Sequence, residues 1–259
     1  MMDRMMRHPS FQTRNLESLE AVFHSGGPCP DKVKLAWIER VGARKVYEMY
    51  GETEMIASTF IRGEEWLQHR GSVGRPFGCE LQIRDEEGRA LPCGEVGEIF
   101  GKPAMGLSAK YVGPQSIKSE EDGFFSVGDL GWLDEEGFLY ISDRRSDMIV
   151  TGGKNGYTAE VENAIFDYPG ISDAVVIGIP DQQWGLRVHA ILEIEGAESE
   201  FSTDGLKEFL HTKLSGYKCP KTYEIVQDMP RNEMGKIRRR ELIEQRVSSL
   251  SEREPGTKA

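Results

Sequence analysis

The chain has 259 residues and a formal charge of −11 at pH 7. Hydrophobic residues make up 38% of it and charged residues 29%, which suits a folded chain with a real core. That acidic balance argues against nucleic acid as a general partner, because a phosphate backbone calls for a basic face.

The cysteines Cys29, Cys79, Cys93 and Cys219 form no CxxC pair, so free thiols in a reducing, cytoplasmic setting are expected. No apolar run approaches the roughly 20 residues that span a bilayer. The start, Met1 to Pro9, lacks the apolar core of a signal peptide.

In chain order, Leu16 to His24 leads into a Gly/Pro loop, Ser25-Gly26-Gly27-Pro28-Cys29-Pro30. Asp31 is a candidate cap for a helix carrying Val33, Trp37, Ile38 and Val41. Val46 to Tyr50 reads as a strand ending at Gly51. From Gly71 to about Tyr140, short β-type runs alternate with turn signals, which predicts a small antiparallel sheet or barrel. Beyond a charged junction, Ser142 to Asp147, the rhythm becomes α/β. A short strand at Met148 to Val150 precedes Gly152-Gly153, and Thr158 is a candidate cap for a helix. Buried strands are expected at Ala174 to Ile179 and Val188 to Ile194, then a helix with Leu206, Phe209, Leu210 and Leu214 on one face. Tyr223 to Val226 is the last strand, and residues 246–259 read as a flexible tail.

Four segments carry candidate chemistry. Tyr50-Gly51-Glu52-Thr53-Glu54 offers a ring that can stack on a base, a hydroxyl for a phosphate and a carboxylate for Mg²⁺. A surface turn with solvated glutamates is the plainer alternative. Asp129 after Gly128, with Arg144 further on, can hold ribose hydroxyls, or can be a turn Asp and a surface Arg. Thr151 to Gly156 is Gly-rich without the Walker A spacing, so an anion loop and a β-turn both remain open. Pro230 to Arg240 is the most basic stretch. Gly235 there can turn Lys236 outward to meet developing negative charge, or the run can be solvated.

Taken in order, these segments resemble the adenylate-forming superfamily, and within it the AMP-forming acyl-CoA synthetases. Tyr50-Gly51-Glu52-Thr53-Glu54 is similar to its Tyr-Gly-x-Thr-Glu motif. Gly128-Asp129-Leu130 with Asp134, Gly137, Tyr140 and Arg144 resembles its ribose motif. Asp147-Met148-Ile149, Gly152-Gly153, Asn155 and Ala159 to Glu162 resemble its hinge and lid loop. Pro230 through Gly235-Lys236-Ile237 to Arg239 resembles the motif of its catalytic lysine. His24 to Pro30 and Gly74-Arg75-Pro76 fit the CoA-ligase branch.

The resemblance implies an α/β (α+β) fold. Residues 1–143 would be a remnant of the large N-terminal domain with a β-barrel-like subdomain. Residues 144–245 would be a small α/β lid, and 246–259 a tail. It implies ligation of a small carboxylic acid to coenzyme A at the expense of ATP, giving AMP, with Mg²⁺. Tyr50 would stack on adenine, Gly27 would line the acyl and adenine pocket, and Gly51 would belong to the same nucleotide site. Thr53 would contact phosphate, Glu54 would hold Mg²⁺, and Asp129 and Arg144 would clasp the ribose. Lys236 would be the catalytic cation, Ser146 the hinge, and Gly152 and Gly153 the thiol-channel loop. The loop departs from the family at Gly156, where Ile is common. Nothing here resembles the family's phosphate loop, which would lie upstream. A truncated ligase, half of a split ligase with a complementing N-terminal chain, a homo-oligomer, and a non-catalytic AMP-, CoA- or protein-binding module are the alternatives.

Overall fold

A computed structural model describes residues 1–27, 29–105, 121–198, 201–232 and 236–253. Pro28, Gly235 and the last six residues of the expected tail lie outside the described residues. Contacts divide the chain into unit 1, Met1–Arg145, and unit 2, Ser146–Ala259. The sequence reading placed that boundary between residues 143 and 144.

Unit 1 opens with helix α1 (Met2–Met6) and strand β1 (Val22–Ser25), then helix α2 (Asp31–Val41) and strand β2 (Val46–Tyr50). β1 and β2 are parallel, with Val22 opposite Val46 and Ser25 opposite Met49. α2 is the crossover between them, as a parallel pair requires. Its Val33, Trp37 and Ile38 recur on one face and pack with Phe11, Val46 and Ile61. Each such fully buried side chain contributes about 1.5–3 kcal/mol. Asp31 is the first helical residue rather than the cap, which is Pro30.

The chain continues through β3 (Thr59–Arg62), α3 (Gly63–Trp66), β4 (Ser72–Pro76), β5 (Cys79–Arg84), β6 (Gly97–Pro103), β7 (Phe125–Leu133) and β8 (Leu139–Arg144). The strands form one sheet in the order β1-β2-β3-β4-β8-β7-β6-β5. The expected barrel is not closed. Closure would pair β5 with β4, but both sides of β4 are already taken, by β3 and β8. Gly74 in β4 has φ +105°, and a Cβ there would sit 2.2 Å from the Phe60 carbonyl oxygen, so only glycine permits the close approach to β3.

Unit 2 contains β9 (Ile149–Thr151), β10 (Lys154–Gly156), α4 (Thr158–Phe166), β11 (Ile171–Asp181), β12 (Gly185–Ile194), α5 (Thr203–Lys213), β13 (Thr222–Val226) and α6 (Arg239–Arg253). β11 and β12 form a long antiparallel pair, and β13 joins β12 in parallel. This sheet is covered on both faces, which is why β11 reads as a continuous apolar run. Ala174 and Val176 face Val161 and Ile165 of α4 and Leu206 and Leu210 of α5. Val175, Ile177 and Ile179 face Met229 and Leu242 on the other side. The tail predicted from Arg246 is helical as far as Arg253. Its first residue is held by Glu224, which accepts two bonds from the Arg246 guanidinium at 2.7 and 2.8 Å. Thr158 is likewise inside α4 rather than its cap, which is Tyr157.

Candidate functional site

The candidate residues of unit 1 gather where β1 and β2 end. Parallel strands present loops at their C-terminal ends, the usual place for a ligand crevice in α/β sheets. Gly27 follows β1 there, and Tyr50 closes β2 beside it. A Cβ added at Gly27 would meet nothing within 4 Å, so packing gives no reason for glycine at that position.

Tyr50 Oη donates to Asp129 Oδ2 at 2.7 Å. Asp129 lies in β7 directly opposite Arg144 of β8, and the guanidinium stands 3.5 Å from the other carboxylate oxygen. Gly128 before it has φ +75°. Burial and the Asp129 charge push the Tyr50 hydroxyl far above the ordinary phenol range, so it remains a donor. The result is a carboxylate oriented by a ring hydroxyl on one side and an exposed cation on the other. Such a carboxylate can accept sugar hydroxyls, and the cation can meet a phosphate or the same sugar.

After Tyr50 the backbone turns sharply. Gly51 packs against Ser58, whose Oγ would be 3.2 Å from an added Cβ. Glu52 Oε1 accepts the N–H groups of Ile56 and Ala57, which pins the turn. Met55 within it adopts φ 55°, an uncommon conformation for a residue with a side chain. Glu52 Oε2 is buried with no hydrogen-bond partner among the described residues, and burial raises its carboxyl above the ordinary range. The pinned turn carries exposed Thr53 and half-buried Glu54. Among the described residues, no three His, Cys, Asp or Glu side chains gather to hold a metal alone. Glu54 therefore suits Mg²⁺ only in the mode where phosphate oxygens and water supply most ligands.

In unit 2, Gly152 and Gly153 are the two-residue turn of the β9–β10 hairpin. Their φ values of +56° and +75° match a type I′ turn. Of the two alternatives open in the sequence, an anion loop and a β-turn, the local backbone is a β-turn. Gly156, the departure from the family pattern, pairs with Ile149 and leaves a Cβ 3.4 Å from that residue's carbonyl, an ordinary contact. Gly152 N–H donates to the Trp184 carbonyl at 2.9 Å, and the Trp184 ring lies over it with 43% of the residue exposed. Near the hairpin, Tyr217 has two ammonium groups over its ring, Lys154 at 5.0 Å and Lys218 at 5.8 Å.

Lys236 is exposed. Its N–H donates to Asn232 Oδ1 at 2.8 Å, and Asn232 N–H donates to the Lys236 carbonyl at 2.9 Å. These reciprocal bonds close the base of the lysine segment. Ile237 packs on the apolar cluster beneath it, and Arg239 opens α6 with bonds to Asp147 and Glu162. Ser146 is exposed at the division between the units.

The structure thus joins Tyr50, Asp129 and Arg144 directly, and sets Gly51, Thr53 and Glu54 on the adjoining turn. Gly152, Gly153 and Lys236 belong to the other unit. Sequence reasoning did not single out Glu52, Trp184, Tyr217 or the Arg239–Glu162 pair, which the structure places beside the candidate residues. Glu52 occupies the variable position of the Tyr-Gly-x-Thr-Glu motif, so the motif gives it no role. Trp184 gave no local signal because Gly152 is distant in sequence, and the Lys154 contact of Tyr217 is distant too.

A family model described as AMP-binding enzyme matches residues 1–109, and one described as AMP-binding enzyme C-terminal domain matches residues 160–236. The chain belongs to this adenylate-forming superfamily. It is 36% identical to a 2-succinylbenzoate–CoA ligase of Bacillus velezensis over 240 residues, 91% of this chain and 48% of that protein. It is 34% identical to a long-chain-fatty-acid–CoA ligase of Bacillus subtilis over 252 residues, 95% of this chain and 44% of that one. Among solved structures, it matches the Bacillus subtilis O-succinylbenzoate coenzyme A synthetase in complex with ATP and magnesium ion. There the TM-score is 0.78 and the identity 32%, covering 93% of this chain and 48% of the other. The chain spans about half the length of these relatives.

Proposed function

We propose that this chain serves ATP-dependent acid–thiol ligation, in which a carboxylic acid, ATP and coenzyme A give acyl-CoA, AMP and pyrophosphate through an acyl-adenylate. The carrying observation is the Tyr50–Asp129–Arg144 cluster, which joins the end of β2 to β7 and β8, in a chain of this superfamily. A carboxylate is a poor electrophile, and adenylation supplies the leaving group that the thiol needs.

In this reading Tyr50 and Gly51 border the adenine, with Gly27 across the strand ends. Asp129 and Arg144 hold the ribose. Thr53 contacts phosphate, and Mg²⁺ at Glu54 would neutralise phosphate charge. Lys236 stabilises charge on the attacking carboxylate and α-phosphate, worth roughly 3 kcal/mol in preorganised sites. Residues from Ser146 onward act as a lid that presents Lys236 for one step and the Gly152-Gly153 turn for the other. The exposed Trp184 ring and the Tyr217 ring between two lysines suit the base and phosphates of coenzyme A.

The test is ATP–pyrophosphate exchange with a panel of fatty and aromatic acids, alongside calorimetry with AMP. Exchange, or AMP binding lost in Asp129→Ala, supports the reading. Neither exchange nor AMP binding rejects it.

One observation favours a second reading, in which the chain works as half of a ligase. Phe23 of β1 is 56% exposed and Phe77 after β4 is 64% exposed. With Tyr47 and Phe60 they form a run of ring contacts at 5.7–6.4 Å across one sheet face. Such a face calls for a cover, either a complementing N-terminal chain or a second copy. No helix among the described residues is long and apolar enough to cross a membrane. The free thiols suit a cytoplasmic setting.

A further inference from the structure

Residues 25–30 make the Gly/Pro loop between β1 and α2, and Gly27 lies in it. The glycines give the loop little packing of its own. A Cβ added at Gly26 or Gly27 would meet nothing within 4 Å. Cys29 rests partly buried against the apolar cluster of unit 1. The course of the loop therefore depends on what holds its two ends.

Both ends meet at one carboxylate. Glu48 of β2 is buried and shares a strand face with Val46, which packs on α2. Before the loop, His24 stands opposite Glu48 in the β1–β2 register, with its Nδ1 3.4 Å from Glu48 Oε1. That ring nitrogen is buried and bonds no other group among the described residues. After the loop, Lys34 in the first turn of α2 donates to Glu48 Oε2. The Lys34 N–H also donates to the Pro30 carbonyl at 3.1 Å, so Lys34 is fastened to the loop itself. Its ammonium is buried 4.5 Å from the centre of the Trp66 ring. Burial opposes the Glu48 charge, but His24 and Lys34 outweigh it and hold the carboxyl below the ordinary range. Glu48 is thus an acceptor toward both sides.

We propose that Glu48 is a positioning residue that clamps both ends of the 25–30 loop and so sets where Gly27 stands relative to Tyr50. A buried ion pair is a poor source of stability, since apolar groups of similar volume often serve as well. Placement is what this pair adds. Glu48 lies two positions before Tyr50 on the same strand, so a loop held to Glu48 is held to the strand end that carries Tyr50. The clamp stands on these contacts; the nucleotide it serves rests on the ligase reading.

The test uses the full chain and labels thiols with iodoacetamide, read site by site by mass spectrometry. Cys29 sits in the loop, and burial pushes its thiol up to about 11. Cys79 of β5, in the same unit and also raised by burial, is the internal reference. His24→Leu frees the first end and leaves the Lys34–Glu48 pair intact. The pair Lys34→Met with Glu48→Leu frees both ends without leaving a buried charge, and melting curves check that each variant folds. Each should quicken Cys29 labelling roughly tenfold, the effect of losing one charge-assisted bond, with Cys79 unchanged. Lys34→Met with Glu48→Gln keeps an acceptor for His24 and should bring Cys29 back toward the parent rate. Calorimetry should show AMP affinity falling in the apolar pair and recovering in the Gln pair.

Cys29 labelling at the parent rate in both His24→Leu and the apolar pair would overturn the clamp. So would a rise shared equally by Cys79, which marks general loosening of unit 1. Faster Cys29 labelling with AMP bound as tightly as by the parent would leave the clamp and overturn its placing of Gly27. If the parent binds no AMP, the ligase reading fails, while the labelling rates still decide the clamp.

Discussion

Tyr50 and Asp129 are 79 positions apart in the chain, yet the phenol donates to the carboxylate at 2.7 Å. That bond ties the end of β2 to the middle of β7 and aims a partly buried carboxylate. Tyr50→Phe keeps the ring and removes the donor. We expect a loss of about 1 kcal/mol in the stability of unit 1, with weaker AMP binding. Melting curves and calorimetry measure the two. AMP binding equal to that of the parent would mean the hydroxyl does not prepare Asp129.

Glu52 gives a pH prediction. Burial raises its carboxyl above the ordinary 4.5, so the folded state holds a proton that the unfolded chain has released. Stability from this group is present at low pH and falls as pH rises from about 4.5 through the folded-state value. Glu52→Gln keeps an acceptor for the Ile56 and Ala57 N–H groups and cannot ionise. Denaturant unfolding of the two proteins between pH 4.5 and 8 should diverge with rising pH, with the Gln variant the flatter. Parallel curves would show that Glu52 titrates normally.

Lys236 is exposed and its side chain makes no bond among the described residues. Lys236→Ala should leave stability within about 0.5 kcal/mol, as surface changes usually do. In an assay that supports adenylation, it should slow that step on the order of 100-fold or more. Conversion of supplied acyl-adenylate to thioester should suffer much less. Equal loss in both steps would remove the cation from the adenylation step.

The hairpin turn separates backbone strain from crowding. Gly152→Ala and Gly153→Ala each place a Cβ at positive φ, a cost of about 1–2 kcal/mol. Gly152→Ala additionally meets the Trp184 ring at 3.0 Å, whereas a Cβ at Gly153 meets nothing within 4 Å. Gly152→Ala should therefore be the more destabilising, read from melting of the full chain. The opposite order would mean that Trp184 does not seat on the turn.

Much of this was legible before any coordinates. The apolar spacing from Val33 to Ile38 announced α2, and the run Ala174 to Ile179 announced a buried strand. The order of Tyr50, Asp129, Gly152-Gly153 and Lys236 along the chain carried the family resemblance. Local chemistry encodes such features: periodicity, turn residues and short motifs are contained within a few positions. Closure of the barrel was not legible, since it depends on which edges of β4 are free, and that is a property of pairing across the sheet. Residues 246–253, the second half of helix α6, read as a flexible tail because charged residues look solvated in isolation. Its Leu242 is buried and its Arg246 ion-paired only once β11 and β13 lie against it.

From the amino-acid order alone came the superfamily, a two-part organisation and a set of candidate residues. Folding in three dimensions decided which side chains meet: Tyr50 with Asp129, Arg145 with Glu98, and Arg239 with Asp147 and Glu162. The reason is distance along the chain. Side chains separated by tens of residues meet only when strands and helices have chosen their neighbours, and no local pattern records that choice.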